Sequence, residues 1–223
     1  MSVSQRLKTD ASHLWDQLCE HPFITGLFQG TLPMEKFKFY VLQDSSYLIS
    51  AIKNFNIIAS RAPTVRILQE LLTIIHLEGT GELEQYRKFL KRIGTNMEAA
   101  LAREPMPANI SYTSYLFSVS NTRPFQEALV SVLPCFWSYA VIADYHHEHY
   151  QSLHEIDTLY ADWVSTYYDE SYRTLVEKMN DLVDQSCENY SYEKLLDVFL
   201  TSSRYEYLYW DAAYRFESWP VDN

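Results

Sequence analysis

Residues that end helices are scarce in this chain. Its 223 residues include only 5 glycines and 8 prolines. An all-β domain of this length needs many turns, and turns depend on those two residues, so an all-β fold is disfavoured. Hydrophobic residues make up 47% of the chain, which is enough for a sizeable core and too many for a disordered protein.

Cysteine is also scarce. Cys19, Cys135 and Cys187 are odd in number and far apart, which favours reduced thiols over a disulfide framework. No pair has the CxxC spacing of a zinc site. Any cysteine chemistry in this protein is therefore expected from a single thiol.

Positive charge is in short supply. The formal net charge is −11, and no Lys/Arg cluster is dense enough to form a basic face. Binding to a nucleic-acid backbone needs such a face, and an anionic membrane surface would repel an acidic protein. The first residues form no apolar leader, and no run approaches the roughly 18 apolar residues of a membrane span. We therefore expect a soluble cytoplasmic protein without nucleic-acid or membrane partners.

Helical periodicity dominates what the chain does contain. Residues 3–20 place Leu7, Ala11, Leu14 and Leu18 on one face, at spacings of three and four. Other segments repeat this pattern, and no linker is long or polar enough to divide the chain. We predict an all-α fold, a single-domain multi-helix bundle over residues 1–223.

The most informative local feature is a proline beside a cysteine. The apolar segment 125–145 is typical of a buried helix, and Pro134 lies in its interior, one residue before Cys135. Proline has no N–H and clashes with the preceding turn, so we expect a kink there. A kink opens space for a nucleophilic thiol, although a lone cysteine is more often a small core residue.

Two acids stand among apolar and aromatic residues. Asp44 and Tyr47, at i and i+3, share a helix face, and a carboxylate in such surroundings needs a partner. Glu206 is flanked by aromatic residues in the last long helix. Burial is expected to raise its pKa towards neutrality, which suits a general acid–base.

Two clusters could instead bind a metal. The run 146–149 contains three histidines, but it lacks the HExxH spacing and is expected to be a solvated helix end. Glu78 and Glu82 at i and i+4, with His76, are reminiscent of a di-iron site, but no Glu-x-x-His pair accompanies them. We predict no metal and no cofactor.

Four segments together resemble the TenA family (thiaminase II, aminopyrimidine aminohydrolase), in its branch that keeps the cysteine. The resemblance runs from about residue 5 to 218. The segments are Gly30-x-Leu32-Pro33-x-x-x-Phe37-x-x-Tyr40-x-x-Gln43-Asp44-x-x-Tyr47-Leu48, Tyr112-Thr113-x-Tyr115, Leu133-Pro134-Cys135-x-Trp137-x-Tyr139 and Tyr205-Glu206-x-x-x-Trp210.

This resemblance implies a fold and a reaction. The fold is a heme-oxygenase-like all-α bundle without heme, assembled as a homotetramer (or homodimer). The reaction cleaves the C–N bond at the 5-aminomethyl group of a 4-amino-2-methylpyrimidine and gives the hydroxymethylpyrimidine used in thiamin salvage. Thiamin itself is implied to be a slower substrate.

The resemblance also implies roles for individual residues. Cys135 corresponds to the nucleophile, Glu206 to the acid–base, and Asp44 to the carboxylate that holds the ring amino group and a ring nitrogen. The pocket aromatics and phenols correspond to Tyr47, Tyr112, Tyr139, Tyr167 and Tyr209.

Two other classes of function stay open at this point. One is an oxidase or di-metal oxygenase on the same scaffold, with His76, Glu78 and Glu82 as ligands. The other is a non-catalytic pyrimidine-binding protein. Metal content would discriminate the first class, and tight binding without turnover would discriminate the second.

Overall fold

The computed structural model describes residues 1–154 and 159–221, except the side chains of Glu78, Ser152 and His154. Within these residues there is no β-strand, and the all-α prediction is confirmed. The α-helices of this part of the chain are α1 (Val3–Asp10), α2 (Ser12–Cys19), α3 (Pro22–Phe28), α4 (Met34–Ser60), α5 (Val65–Leu77), α6 (Leu83–Arg92), α7 (Met97–Leu101), α8 (Pro107–Thr122), α9 (Phe125–Ser131), α10 (Leu133–Tyr145), α11 (His147–His154), α12 (Leu159–Ser165), α13 (Glu170–Cys187) and α14 (Tyr192–Arg215).

The helices form two compact units, each made of two chain segments. Unit 1 contains Met1–Leu32 and Gln126–Leu208, and unit 2 contains Pro33–Phe125 and Tyr209–Asn223. The boundary between Leu208 and Tyr209 lies inside α14. The prediction of one domain over residues 1–223 stays a prediction.

The core of unit 1 is built around Trp15 on α2. Its ring stacks on Phe199 at 5.4 Å between centroids and meets Trp137 edge-on at 5.5 Å. Its indole N–H donates to Ser203 Oγ at 2.9 Å. Buried tryptophan needs such a partner for its one polar atom, so these contacts fix α2 against α10 and α14.

The core of unit 2 is built around α4, which packs against α5, α6, α7 and α8. Tyr40 on α4 is fully buried and stacks on Trp210 at 4.8 Å between centroids. The first turn of α8 is capped by Glu217, which accepts from the Ala108 N–H at 2.8 Å. Such a carboxylate satisfies an N–H group that the helix itself leaves unpaired.

The apolar segment Phe125–Tyr145 is two helices with a turn at Val132, where a single kinked helix was predicted. Pro134 therefore lies in the first turn of α10, a position where its missing N–H costs nothing. By length and composition alone, these 21 residues could cross a membrane. However, 72% of the most apolar window is buried inside the protein, as in a core helix.

A π-helical turn, Glu78–Glu82, joins α5 to α6, where the sequence predicts a bend at the glycines 79 and 81. Beyond this turn, Tyr86, Phe89 and Leu90 are the buried residues of α6.

Candidate active site

The predicted site residues fall into two groups. Asp44, Tyr47, Tyr112 and Tyr209 lie in unit 2, whereas Cys135, Glu206, Tyr139 and Tyr167 lie in unit 1. Every one of them except Cys135 and Tyr139 is buried, and these two are half-buried.

In unit 2, Asp44 is held by two phenols. Tyr40, one turn earlier on α4, donates to Asp44 Oδ2 at 3.0 Å, and Tyr86 on α6 donates to the same oxygen. Only 5% of Asp44 is exposed. Burial, opposed by the two phenol hydrogen bonds and assisted by the negative charge of Glu82, raises the pKa of Asp44 from 3.8 to about 7. Asp44 is therefore a carboxyl group that can change its protonation state near neutral pH.

The three predicted tyrosines of unit 2 contact one another. The Tyr47 ring lies 5.3 Å from that of Tyr112 and 5.5 Å from that of Tyr209, measured between centroids. Tyr40 meets Tyr209 edge-on at 6.2 Å, which links this cluster to the Asp44 phenols. The structure brings these three predicted residues together within unit 2. An aromatic cluster of this kind supplies flat, weakly polar surfaces on which a heteroaromatic ring can stack.

Asn109 connects the aromatic cluster to α4. Its amide nitrogen donates to the Gln43 carbonyl at 2.8 Å, to Ser46 Oγ at 3.0 Å and to Tyr209 Oη at 3.3 Å. The side chain is 2% exposed. It therefore fixes the position of the Tyr209 hydroxyl from α8.

The amide of Gln43 has a structural role beside Asp44. Its Oε1 accepts from the Met106 N–H at 2.8 Å, and its Nε2 donates to the Glu104 carbonyl at 3.1 Å. These bonds tie the proline-rich loop between α7 and α8 to α4. In the Gln-Asp pair, one residue thus holds the loop and the next carries the carboxyl group.

In unit 1, Cys135 lies just after the helix break. Its thiol donates to the carbonyl of Val132, the residue at the turn, at 2.9 Å. The other two cysteines differ, because burial raises the pKa of Cys19 and of Cys187 to about 12, which leaves both as inert thiols near neutral pH. Cys135 is the half-buried cysteine of the three.

The aromatic residues of unit 1 form a second cluster. Tyr139 and Tyr167 lie 4.9 Å apart between ring centroids, and Trp163 contacts both, at 6.0 and 4.7 Å. Tyr139 follows Cys135 by one turn of α10, and Tyr167 lies in a 3-10 turn, Thr166–Tyr168, after α12. The structure thus brings these two predicted residues together.

Glu206 is 3% exposed in α14, which confirms that this acid is buried. Of the predicted metal ligands, His76 is exposed, and the side chain of Glu78 lies outside the described residues. The part of the chain that the structure describes contains no group of three or more His, Cys, Asp or Glu side chains placed to bind a metal ion.

Sequence reasoning missed Tyr86 and Glu82 as neighbours of Asp44, and it missed Asn109, which donates to Tyr209. Tyr86 is 42 positions from Asp44, and nothing in its local pattern distinguishes it from an ordinary core tyrosine. The paired glycines of the π turn were the available signal, because π turns are frequent at functional sites.

Solved structures define the class of this fold. The chain superposes with a TM-score of 0.90 on the TenA homologue from P. horikoshii OT3, at 34% identity, covering 96% of this chain and 99% of the other. It also superposes with a TM-score of 0.62 on heme oxygenase 2 from Chlamydomonas reinhardtii, at 14% identity and full coverage of both chains. The fold is therefore that of the heme-oxygenase-like all-helical proteins.

Sequence relatives place the chain within that class. The TENA/THI-4/PQQC family matches residues 9–216, and the chain belongs to this family. It is 34% identical to the aminopyrimidine aminohydrolase of Bacillus subtilis, over 98% of this chain and 92% of that protein. It is 30% identical to the aminopyrimidine aminohydrolase of Helicobacter pylori, over 96% and 100%.

Proposed function

We propose that this protein is an aminopyrimidine aminohydrolase of the thiaminase II type. It cleaves the C–N bond at the 5-aminomethyl group of a 4-amino-2-methylpyrimidine and, more slowly, acts on thiamin. Water replaces the amine, and the product is the hydroxymethylpyrimidine used in thiamin salvage. The full-length similarity to relatives with this named activity carries the proposal.

The proposed chemistry uses Cys135 as nucleophile. Its thiolate adds to the electron-poor ring while a ring nitrogen takes up a proton, and the amine then leaves as ammonia. Water adds at the exocyclic carbon, and the thiol is expelled to restore the aromatic ring. The half-buried position beside the helix break supports this role, because the nucleophile must be both reachable and oriented.

Glu206 is proposed as the acid–base that moves protons to and from the ring nitrogen and the leaving group. A buried acid suits this role, because a low local dielectric disfavours the charged carboxylate. The neutral and charged forms then differ less in free energy, and a proton can be both given and taken. Its 3% exposure supports the assignment.

Asp44 and the tyrosines are proposed to bind the pyrimidine. Asp44 holds the polar edge of the ring, and the substrate-binding tyrosines are Tyr47, Tyr112, Tyr139, Tyr167 and Tyr209. The close ring contacts support grouping these tyrosines within each unit: Tyr47 with Tyr112 and Tyr209 in unit 2, and Tyr139 with Tyr167 in unit 1. We further propose that the enzyme works without metal or cofactor, in the cytoplasm, as one domain and as a homotetramer or homodimer.

Release of ammonia from 4-amino-5-aminomethyl-2-methylpyrimidine tests the proposal directly. We expect turnover of this compound by the purified protein and slower release of hydroxymethylpyrimidine from thiamin. Folded protein that releases neither ammonia from the aminomethyl compound nor hydroxymethylpyrimidine from thiamin would refute the hydrolase assignment. Iron that stays with the protein through purification would then favour an oxygenase, and tight pyrimidine binding without turnover would favour a non-catalytic binding protein.

A further inference from the structure

The two oxygens of the Asp44 carboxyl group have different surroundings. Oδ2 accepts both phenol hydrogen bonds, from Tyr40 and from Tyr86. Oδ1 accepts none from the described residues. A carboxyl oxygen has about two lone-pair directions, so two donors fill the acceptor capacity of Oδ2. A proton on this group therefore belongs on Oδ1.

Both phenols are held rigidly. The Tyr40 ring is fully buried and stacked on Trp210 at 4.8 Å. Tyr86 is 3% exposed and meets Phe89 edge-on at 6.2 Å. Because neither ring can turn away without losing buried contacts, both hydroxyls stay directed at Oδ2.

The charges around Asp44 do not favour a carboxylate. Glu82, at the end of the π turn, is the charged group that acts on it, and its negative charge opposes ionisation. The helix α8 carries no charged residue, and Glu98 on α7 and His76 on α5 are exposed. The other charged residues of the unit 2 helices are exposed or half-buried. They are Glu35, Lys36, Lys38 and Lys53 on α4, Arg66 and Glu70 on α5, Glu84, Arg87, Lys88, Lys91 and Arg92 on α6, and Asp211 and Arg215 on α14.

We propose that Tyr40 and Tyr86 fix the proton of Asp44 on Oδ1, so that Asp44 meets a pyrimidine as a neutral hydrogen-bond donor to a ring nitrogen. Tyr40 and Tyr86 are then positioning residues, because they act through Asp44. The part of this inference that concerns the ligand rests on the proposed function. A donor at this place selects a ring nitrogen that accepts, as in a 4-aminopyrimidine, and disfavours a 4-oxopyrimidine, whose ring nitrogen carries its own proton.

The protonation of Asp44 can be measured without any ligand. The infrared band of a protonated carboxyl group, assigned by its loss in Asp44→Asn, should titrate near neutral pH in the wild-type protein. Tyr86→Phe removes a hydrogen bond that favours the charged form, so the titration should move to higher pH, and Tyr40→Phe should move it in the same direction. Tyr190→Phe is the matched control, because Tyr190 donates to the buried carboxyl group of Glu127 at 2.6 Å. It should leave the titration unchanged.

Binding of the product, hydroxymethylpyrimidine, tests the donor role without turnover. Calorimetry across the pH range should show wild-type affinity falling about tenfold per pH unit above the Asp44 titration. The Asp44→Asn amide can keep its oxygen on the phenols and offer its N–H₂ in place of Oδ1, so this variant should keep binding and lose that pH dependence. The Asp44→Ala variant should bind the product about 10- to 100-fold more weakly than the wild type does. The wild type should bind the 4-oxo analogue more weakly than the product by a similar factor.

Two results would overturn the inference. One is an Asp44 group that is ionised throughout the neutral range or unmoved by Tyr86→Phe. The other is an Asp44→Asn variant that loses as much affinity as Asp44→Ala, which would mean that a carboxylate is required. Wild-type protein that neither binds the product nor releases ammonia would instead refute the proposed function, and the infrared titration would still decide where the proton of Asp44 resides.

Discussion

Two buried carboxyl groups, one in each unit, show how differently the same pairing can be used. In unit 1, Glu127 is 4% exposed and accepts a hydrogen bond from the phenol of Tyr190. In unit 2, Asp44 is 5% exposed and accepts hydrogen bonds from two phenols, which both end on Oδ2. The two acids are equally buried, so burial alone does not set Asp44 apart. What sets Asp44 apart is that both of its phenols meet the same oxygen.

The two proposed groups of site residues also differ in which parts of the chain form their contacts. In unit 1, the thiol of Cys135 donates to the carbonyl of Val132, three residues earlier in the chain, and Glu206 is buried in α14. In unit 2, the setting of Asp44 is assembled from α4, α6 and the π turn. We therefore expect substitutions of Cys135 and Glu206 to affect the chemical step, and substitutions around Asp44 to affect binding, pH dependence and stability.

Cys135→Ser is expected to have the largest effect. Loss of a nucleophile lowers kcat by on the order of 10⁴-fold or more in enzymes with covalent intermediates, because no other group can take its place. Ammonia release measures this. Cys187→Ser is the matched control, since the Cys187 thiol is buried with a pKa of about 12, and it should keep wild-type kcat. Equal activity in the two variants would contradict the nucleophile assignment.

Glu206→Gln is expected to lower kcat by about 10²- to 10⁴-fold, the usual contribution of a general acid–base. The amide keeps the size of the side chain but cannot transfer a proton. KM should change little if Glu206 acts on the transition state. A variant with raised KM and unchanged kcat would assign Glu206 to binding, which is the role expected of unit 2.

Asp44→Asn should change how stability depends on pH. The folded-state pKa of Asp44, about 7, lies above the ordinary value of 3.8, so the neutral group stabilises the fold fully at low pH. That contribution is lost as pH rises through about 7, and the difference corresponds to about 4 kcal/mol. The free energy of unfolding of Asp44→Asn, measured with urea, should therefore increase relative to that of the wild type between pH 4 and pH 8.

The control for this measurement is Asp181→Asn, which replaces an exposed acid on α13. Its unfolding free energy should follow that of the wild type across the same pH range. If the difference in unfolding free energy between Asp44→Asn and the wild type were also independent of pH, Asp44 would not have a raised pKa.

Gln43→Ala is expected to have the smallest effect of the four. It leaves the Met106 N–H and the Glu104 carbonyl without their side-chain partner, which costs about 1–3 kcal/mol for a buried polar group. Thermal unfolding should show a lower Tm, whereas Gln69→Ala, at an exposed position on α5, should not. An unchanged Tm for Gln43→Ala would show that the loop does not depend on this amide.

Features that depend on residues close in sequence were predicted better than features that depend on residues far apart in sequence. The helix α4, Met34–Ser60, begins directly after Pro33, which is a local signal that the sequence alone carries. The segment 125–145 was predicted less well, since the turn at Val132 moved Pro134 from a helix interior to a helix start. The sequence predicted Asp44 as a site residue but identified neither Tyr86 nor Glu82 as its neighbours.

The amino-acid sequence by itself determined the helical class, the apolar face of each helix and the local setting of Cys135, because these depend on residues a few positions apart. The tertiary structure decided which phenols reach Asp44 and which charge opposes its ionisation. The physical reason is that hydrogen bonding and desolvation act over a few ångströms in space, and Asp44 and Tyr86 become neighbours only when α6 packs against α4.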